Sequence, residues 1–207
     1  MQHGQALGRW ARLADPSFDL AAAFARFKAG FRHDFGATSS IRGSRAGEMV
    51  ARCMVETGTS SYYAALGESC EEPVLRAIAK RIAADELRHY KLFYDALKHC
   101  LERDRLGRWG RLRVALQRIA EAGDDELAYA YHAANEPADT AYDRRRCIRE
   151  YARRAYAMYR PHPVERGMAL IFKAAGLTPN GRLNLFANRV AWWLMRQRLA
   201  RLRRAAA

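Results

Sequence analysis

An α-helix buries one stripe of its surface, and the stretch from residue 78 to residue 97 sets two ionisable side chains on that stripe. Ile78, Ile82, Glu86, His89, Phe93 and Leu97 follow one another at intervals of four, four, three, four and four, the spacing that keeps side chains on one helical face. Glu86 and His89 complete an otherwise apolar series. A buried ionised carboxylate needs a hydrogen-bonded or charged partner, and a metal cation is one of the few that suffices.

The preceding segment repeats the anomaly. Met49, Cys53, Glu56, Ser60 and Tyr63 are spaced four, three, four and three, with Glu56 in the middle. Further on, Leu112, Leu116, Ile119, Gly123, Glu126, Ala130 and Ala133 alternate four and three, which predicts Glu126 on an inward face. Taken singly, each Glu has a plainer explanation, a salt bridge to one of the 36 Lys and Arg residues or partial exposure, and an isolated E-x-x-H is equally a surface pair. The conjunction says more. A Glu on one long helix followed by Glu-x-x-His on the next is half of the inward ligand set of carboxylate-bridged metal bundles.

The rest of the chain reads as helices. Asp15 and Pro16 predict an N-cap and first-turn proline for a helix over 16–29, ending near Gly30. The Gly- and Ser-rich stretch 33–43 reads as a loop, Ser44 as the cap of a helix to about Leu66, and Pro73 as the opening of one reaching about Arg103. Further helices are expected over 111–134, interrupted near Gly123, and over 140–159, stopped by Pro161 and Pro163. Two more are expected over 163–175 and 181–204. No period-two alternation suggests a strand. A chain of 207 residues supports one sizeable core. The expectation is therefore an all-α fold: a four-helix bundle over 44–160, an N-terminal helix and loop over 1–43, and basic C-terminal helices over 161–207, packed on the bundle or interfacial.

The segment ETGTSSYYAALGESCEEPVLRAIAKRIAADELRHYKLF, from Glu56 to Phe93, resembles the first half of the ferritin-like di-iron carboxylate superfamily, which includes rubrerythrin-like proteins and soluble acyl carrier protein desaturases. Its DELRH string is the most specific part. The resemblance implies a ferritin-like four-helix bundle that binds two irons, with manganese as an alternative. It implies Glu56 as a terminal ligand, Glu86 as a bridging ligand and His89 as an imidazole ligand. Asp85, four residues before His89, reads as an outer carboxylate orienting that ring or as a solvated surface residue.

A complete site of this kind needs a second Glu and a second Glu-x-x-His, and no E-x-x-H follows His89. The string YHAAN at 131–135 echoes YYAAL at 62–66, which suggests an internal duplication pairing Glu126 with Glu56. Aligning Pro137 with Pro73 sets Glu150 opposite Glu86 and Arg153 opposite His89. Periodicity disagrees: the stripe Ile148, Tyr151, Ala155 and Met158 leaves Glu150 beside Arg146 and Arg153. His132, and His162 with Glu165, are alternative donors. Tyr62 is the candidate catalytic side chain, with Tyr63 a second candidate for an outer hydrogen-bonding or redox group; both also fit as core aromatics.

The net charge of +14 invites an anionic partner: an acidic carrier protein, an anionic membrane surface or nucleic acid. It also fits solvated helix faces. No groove-reading or base-stacking element points to nucleic acid. In RLNLFANRVAWWLMRQRLARLRR, Trp192, Trp193 and Leu194 accompany dense arginine, as in an interfacial helix or in a helix that packs its aromatics on the bundle. Cys53, Cys70, Cys100 and Cys147 are widely spaced with no C-x-x-C pair, so neither a zinc knuckle nor a disulfide framework is expected. Without a signal-like or membrane-spanning apolar run, the chain is expected in the cytoplasm, or peripheral at the membrane. Three functions are compatible: a di-iron oxidoreductase of the oxygenase or desaturase type, activating O₂ for an apolar or carrier-bound substrate; an iron-binding or peroxide-detoxifying protein without an organic substrate; and a degenerate bundle that binds nucleic acid or a membrane surface.

Overall fold

The computed structural model describes residues 2–31, 40–121 and 125–205, and among these every regular element is an α-helix. In chain order they are α1 (Gln2–Ala14), α2 (Leu20–Gly30), α3 (Arg45–Ser69), α4 (Pro73–Asp104), α5 (Arg108–Ala120), α6 (Asp125–Asn135), α7 (Arg144–Met158), α8 (Pro161–Ala175) and α9 (Arg182–Arg204).

The long pair α3 and α4 sets the frame. Ser44 starts α3 by accepting a hydrogen bond from the Gly47 amide, and Glu72 starts α4 by accepting from Val74 and Leu75, with Pro73 in the first turn. The two helices run antiparallel. At one end the Ala46 amide donates to Asp104, at mid-length the Ser60 hydroxyl donates to the Ala83 carbonyl (3.2 Å), and at the other end Gly67 lies against Ala79 and Lys80. A Cβ on Gly67 would meet the Lys80 side chain at 3.1 Å, so its lack of a side chain permits this close approach.

The core is shared by four helices: Val50, Cys53 and Met54 from α3, Tyr90 and Leu97 from α4, Val114 and Ala115 from α5, and Ala174 from α8. Helix α8 reaches α3 through small residues, since a Cβ at Gly167 would stand 2.7 Å from the Ser61 hydroxyl, and the Tyr90 hydroxyl donates to the Leu170 carbonyl (2.8 Å). Helix α8, within the segment 161–207 expected to pack on the bundle or lie at an interface, packs on α3 and α5. Around this unit, α6 packs on α2 and α7, and α9 on α7 and α8. Arg26 of α2 donates to the Ala133 and Glu136 carbonyls at the end of α6.

Several elements differ from the sequence expectation. Helix α1 was not anticipated; it lies along α4, with Trp10 Nε1 donating to Glu72 (2.7 Å). Helix α2 begins at Leu20 under an Asp19 cap, while Asp15 accepts instead from Ser17 in a local turn. The helix expected over 111–134 is two helices, α5 and α6, and Gly123 at their junction lies outside the described residues, as does most of the loop 33–43. The expected inward stripe of α5 is corrected as well: Leu116 and Ile119 are 58% and 46% exposed, and Val114 and Ala115 are buried in their place. These smaller side chains let α5 sit close to α3 and α8. Helix α7 starts at Arg144 under an Asp143 cap. No helix among the described residues is long and apolar enough to cross a membrane.

Helix α8 ends at Gly176, whose φ of +75° is left-handed and whose amide, with that of Leu177, closes the last turn onto Lys173 and Phe172. Gly176→Ala is expected to lose about 1–2 kcal/mol from this conformation alone, which thermal unfolding registers as roughly 2–4 °C per kcal/mol for a chain of this size.

Candidate metal centre

Glu56 projects from α3, and Glu86 and His89 from α4, near the middle of the helix pair. One potential ligand atom from each lies within 4.8 Å of the other two. His89 Nδ1 is 2.8 Å from Glu86 Oε2 and 3.6 Å from Glu56 Oε2. The carboxylates are nearly covered, with side chains 13% and 12% exposed, while the His89 side chain is 50% exposed. The site is therefore a mostly covered acidic pair with an imidazole at its solvent side. The sequence stripe places His89 too deep; Tyr90, one residue on, is the buried side chain of that turn.

Electrostatics follow from this placement. The Glu56 carboxyl is pushed up to about 7, first by burial, then by its hydrogen bond to Glu86 and the charge on Glu86; His89 and Arg52 pull weakly the other way. Two adjacent, mostly covered carboxylates resist ionising together, and Glu56 keeps its proton up to a pH of about 7. Cys53, one turn before Glu56, has its thiol pushed up to about 12, chiefly by burial. It remains a protonated core residue. The four cysteines are unpaired.

Nearby basic side chains do not relieve the pair. Arg52 engages Glu48 (3.1 Å), Arg88 engages Asp85, and Lys91 engages Asp95 (2.7 Å). Among the described residues neither Glu56 nor Glu86 makes an ion pair with Lys or Arg; their recorded partners are imidazoles.

One of those imidazoles escaped the sequence reading. His3 of α1 stands with Nδ1 3.4 Å from Glu86 Oε1 and Nε2 3.0 Å from Asp85 Oδ2. Asp85 is thus beside His3, where it had been expected to orient His89. A signal for α1 exists in retrospect: His3, Leu7 and Trp10 are spaced four and three, and all three are partly buried.

The remaining candidates lie elsewhere. Glu126 is exposed on α6, whose packing partners are α2 and α7. Glu150 pairs with Arg153 (2.8 Å) and Arg154 (2.6 Å), which hold its carboxyl below the usual range. Tyr62 stacks on Tyr151 and meets Tyr63 edge-on, with ring centroids 6.4 and 5.4 Å apart, in an aromatic cluster between α3 and α7. Tyr63 is the one whose hydroxyl feels Glu86, although burial is the main cause of its raised pKa. His132 packs beside Tyr129 and Tyr142, and His162 and Glu165 are exposed, with His162 3.4 Å from Glu68.

No family model, curated protein or solved structure matches this chain. The site has to be read from its own chemistry. Two carboxylates and an imidazole suit a divalent cation such as iron, manganese, cobalt or zinc, and the residues gathered here fit one ion. The donors that a second ion would need from the later helices are not at this place.

The raised Glu56 pKa has a defined consequence for stability. In the metal-free protein the stabilisation from its proton is complete below about pH 4.5 and is lost as pH rises through about 7. Glu56→Gln, neutral throughout, is expected to melt above wild type in chelator at about pH 8, with the gap closing as pH approaches 4.5. A gap of equal size at both ends would show that Glu56 carries no buried charge.

Proposed function

We propose that this chain is a ferritin-like metal-binding protein that holds one divalent cation, in the first instance iron, between Glu56, Glu86 and His89. The observation that carries the reading is the covered carboxylate pair left without Lys or Arg in a chain of net charge +14. Bound iron would supply electron transfer to O₂ or peroxide. The chain's own part is to hold the carboxylates together on the helix pair, to release the Glu56 proton when a cation enters, and to leave the His89 side open to small molecules. Two clefts open elsewhere on the surface, one between α1 and α2 and one beside Tyr94 and Lys173, and neither is lined by these three residues. A donor set for one ion favours an iron-binding or peroxide-consuming role over a di-iron oxygenase.

Calorimetric titration of chelator-treated protein with Fe²⁺, Mn²⁺ and Co²⁺ is the test. Wild type is expected to take up one ion per chain with proton release, and to bind more weakly as pH falls below about 7; Glu86→Ala and His89→Ala are expected to lose binding while staying folded. A folded wild type with no affinity for any of the three ions would sink the proposal.

A second activity is favoured by α9. This helix buries Asn184 and Asn188 and exposes Leu183, Phe186, Val190 and Trp193, spaced three, four and three along one face. Arg182, Arg189, Arg196 and Arg203 recur every seven residues along one edge of that ridge, all exposed. An apolar ridge edged by cations suits an anionic lipid surface. Sedimentation with phosphatidylserine vesicles is expected to capture wild type, to fade with salt and to drop at least about tenfold for Phe186→Glu with Trp193→Glu, on the scale set by losing two buried aromatic side chains. Equal capture of the double variant would remove α9 from this role.

A further inference from the structure

Three donors leave a transition metal short of the four or more that such ions usually take, and a further imidazole stands at the same carboxylate. Glu86 lies between two rings: Oε2 is 2.8 Å from His89 Nδ1 and Oε1 is 3.4 Å from His3 Nδ1, with the ring centroids 6.4 Å apart. The other nitrogen of His3 is 3.0 Å from Asp85. A metal-bound histidine usually has its second ring nitrogen fixed by a carboxylate; His3 has that carboxylate in Asp85, while its other nitrogen faces Glu86, an oxygen of the site itself. Besides this pair, α1 is tied to α4 by the Trp10 to Glu72 hydrogen bond and meets α2 where Gly8 touches Leu20.

We infer that His3 is a fourth donor to the cation held by Glu56, Glu86 and His89, that Asp85 orients its ring, and that the bound ion fastens α1 onto α4. The inference rests on the metal-binding reading. It supplies from the N-terminal helix the second imidazole that the later helices lack, and it makes the order of α1 depend on metal. If His3 and Asp85 were only a surface ion pair, like the neighbouring Arg88 with Asp85, metal would leave α1 unchanged.

Optical titration of the full chain with Co²⁺, combined with hydrogen exchange over residues 2–14, separates these cases. Wild type is expected to bind one Co²⁺ per chain with slowed exchange in α1. His3→Ala is expected to keep the single ion at an affinity at least about tenfold lower, with an altered cobalt spectrum and no slowing in α1; Asp85→Asn is expected to shift affinity in the same direction by less. Glu86→Ala, with no binding, marks the site itself. The inference is overturned if His3→Ala binds like wild type and metal leaves α1 exchange unaffected, in which case the three-donor site stands alone. It is overturned equally if wild type binds two ions and His3→Ala loses only one, because His3 would then serve a separate ion. A wild type that binds no Co²⁺ removes both readings.

Discussion

Glu56 and Glu86 meet across the α3–α4 interface, where both are mostly covered and, among the described residues, neither has a Lys or Arg partner. Desolvation and the neighbouring Glu86 both oppose ionisation of Glu56, and the result is a proton held there up to a pH of about 7. The pair persists because the helices that carry it are fixed by contacts on either side: Cys53 and Tyr90 in the core, and the hydrogen bond from Ser60 to Ala83 one turn further along α3. Helices locked at this spacing cannot separate the carboxylates, so neutralisation must come from a proton or a cation. The same rigidity would make the arrangement preorganised for the cation proposed above.

Helix α3 is the hub of the molecule because its surface is built from small residues. Ala46, Ala51, Ala64 and Ala65 are buried along it, together with Gly47 and Gly67, which allows α4, α5, α7 and α8 to approach from several sides. The metal candidates lie at the margin of that packing. Cys53 and Tyr90 close the site on the core side, His89 borders water, and α1 lies over Glu86 through His3. Toward the C-terminal end of α3 the aromatic cluster of Tyr62, Tyr63 and Tyr151 takes over the contact with α7.

Charge is distributed with some selectivity. The basic residues near the carboxylate pair are engaged by Glu48, Asp85 and Asp95, whereas the arginines of α9 stand exposed beside an apolar ridge. Cations near the carboxylate pair are thus occupied by other acids, and those of α9 face the surroundings. A large net charge acts through such local patches more than through its sum.

Helical periodicity and capping residues by themselves determined the all-α class and the starts of α3 and α4, because each is a property of one helix and its cap. They singled out Glu56, Glu86 and His89, but the pairing of α3 with α4 is what gathers the three and leaves His89 half-exposed. Where the reading depended on how helices pair, periodicity was silent or misleading. The Leu112, Leu116 and Ile119 stripe pointed to one face of α5, but the smaller Val114 and Ala115 face is the one that fits against α3 and α8. The echo of YYAAL in YHAAN paired Glu126 with Glu56, yet α6 packs on α2 and α7. Conversely, His3 lies 83 residues before Glu86 in the chain, and no local pattern links them. Only the docking of α1 on α4 brings that imidazole to the carboxylate, since the choice among amphipathic faces is settled by which side chains leave room for a neighbouring helix.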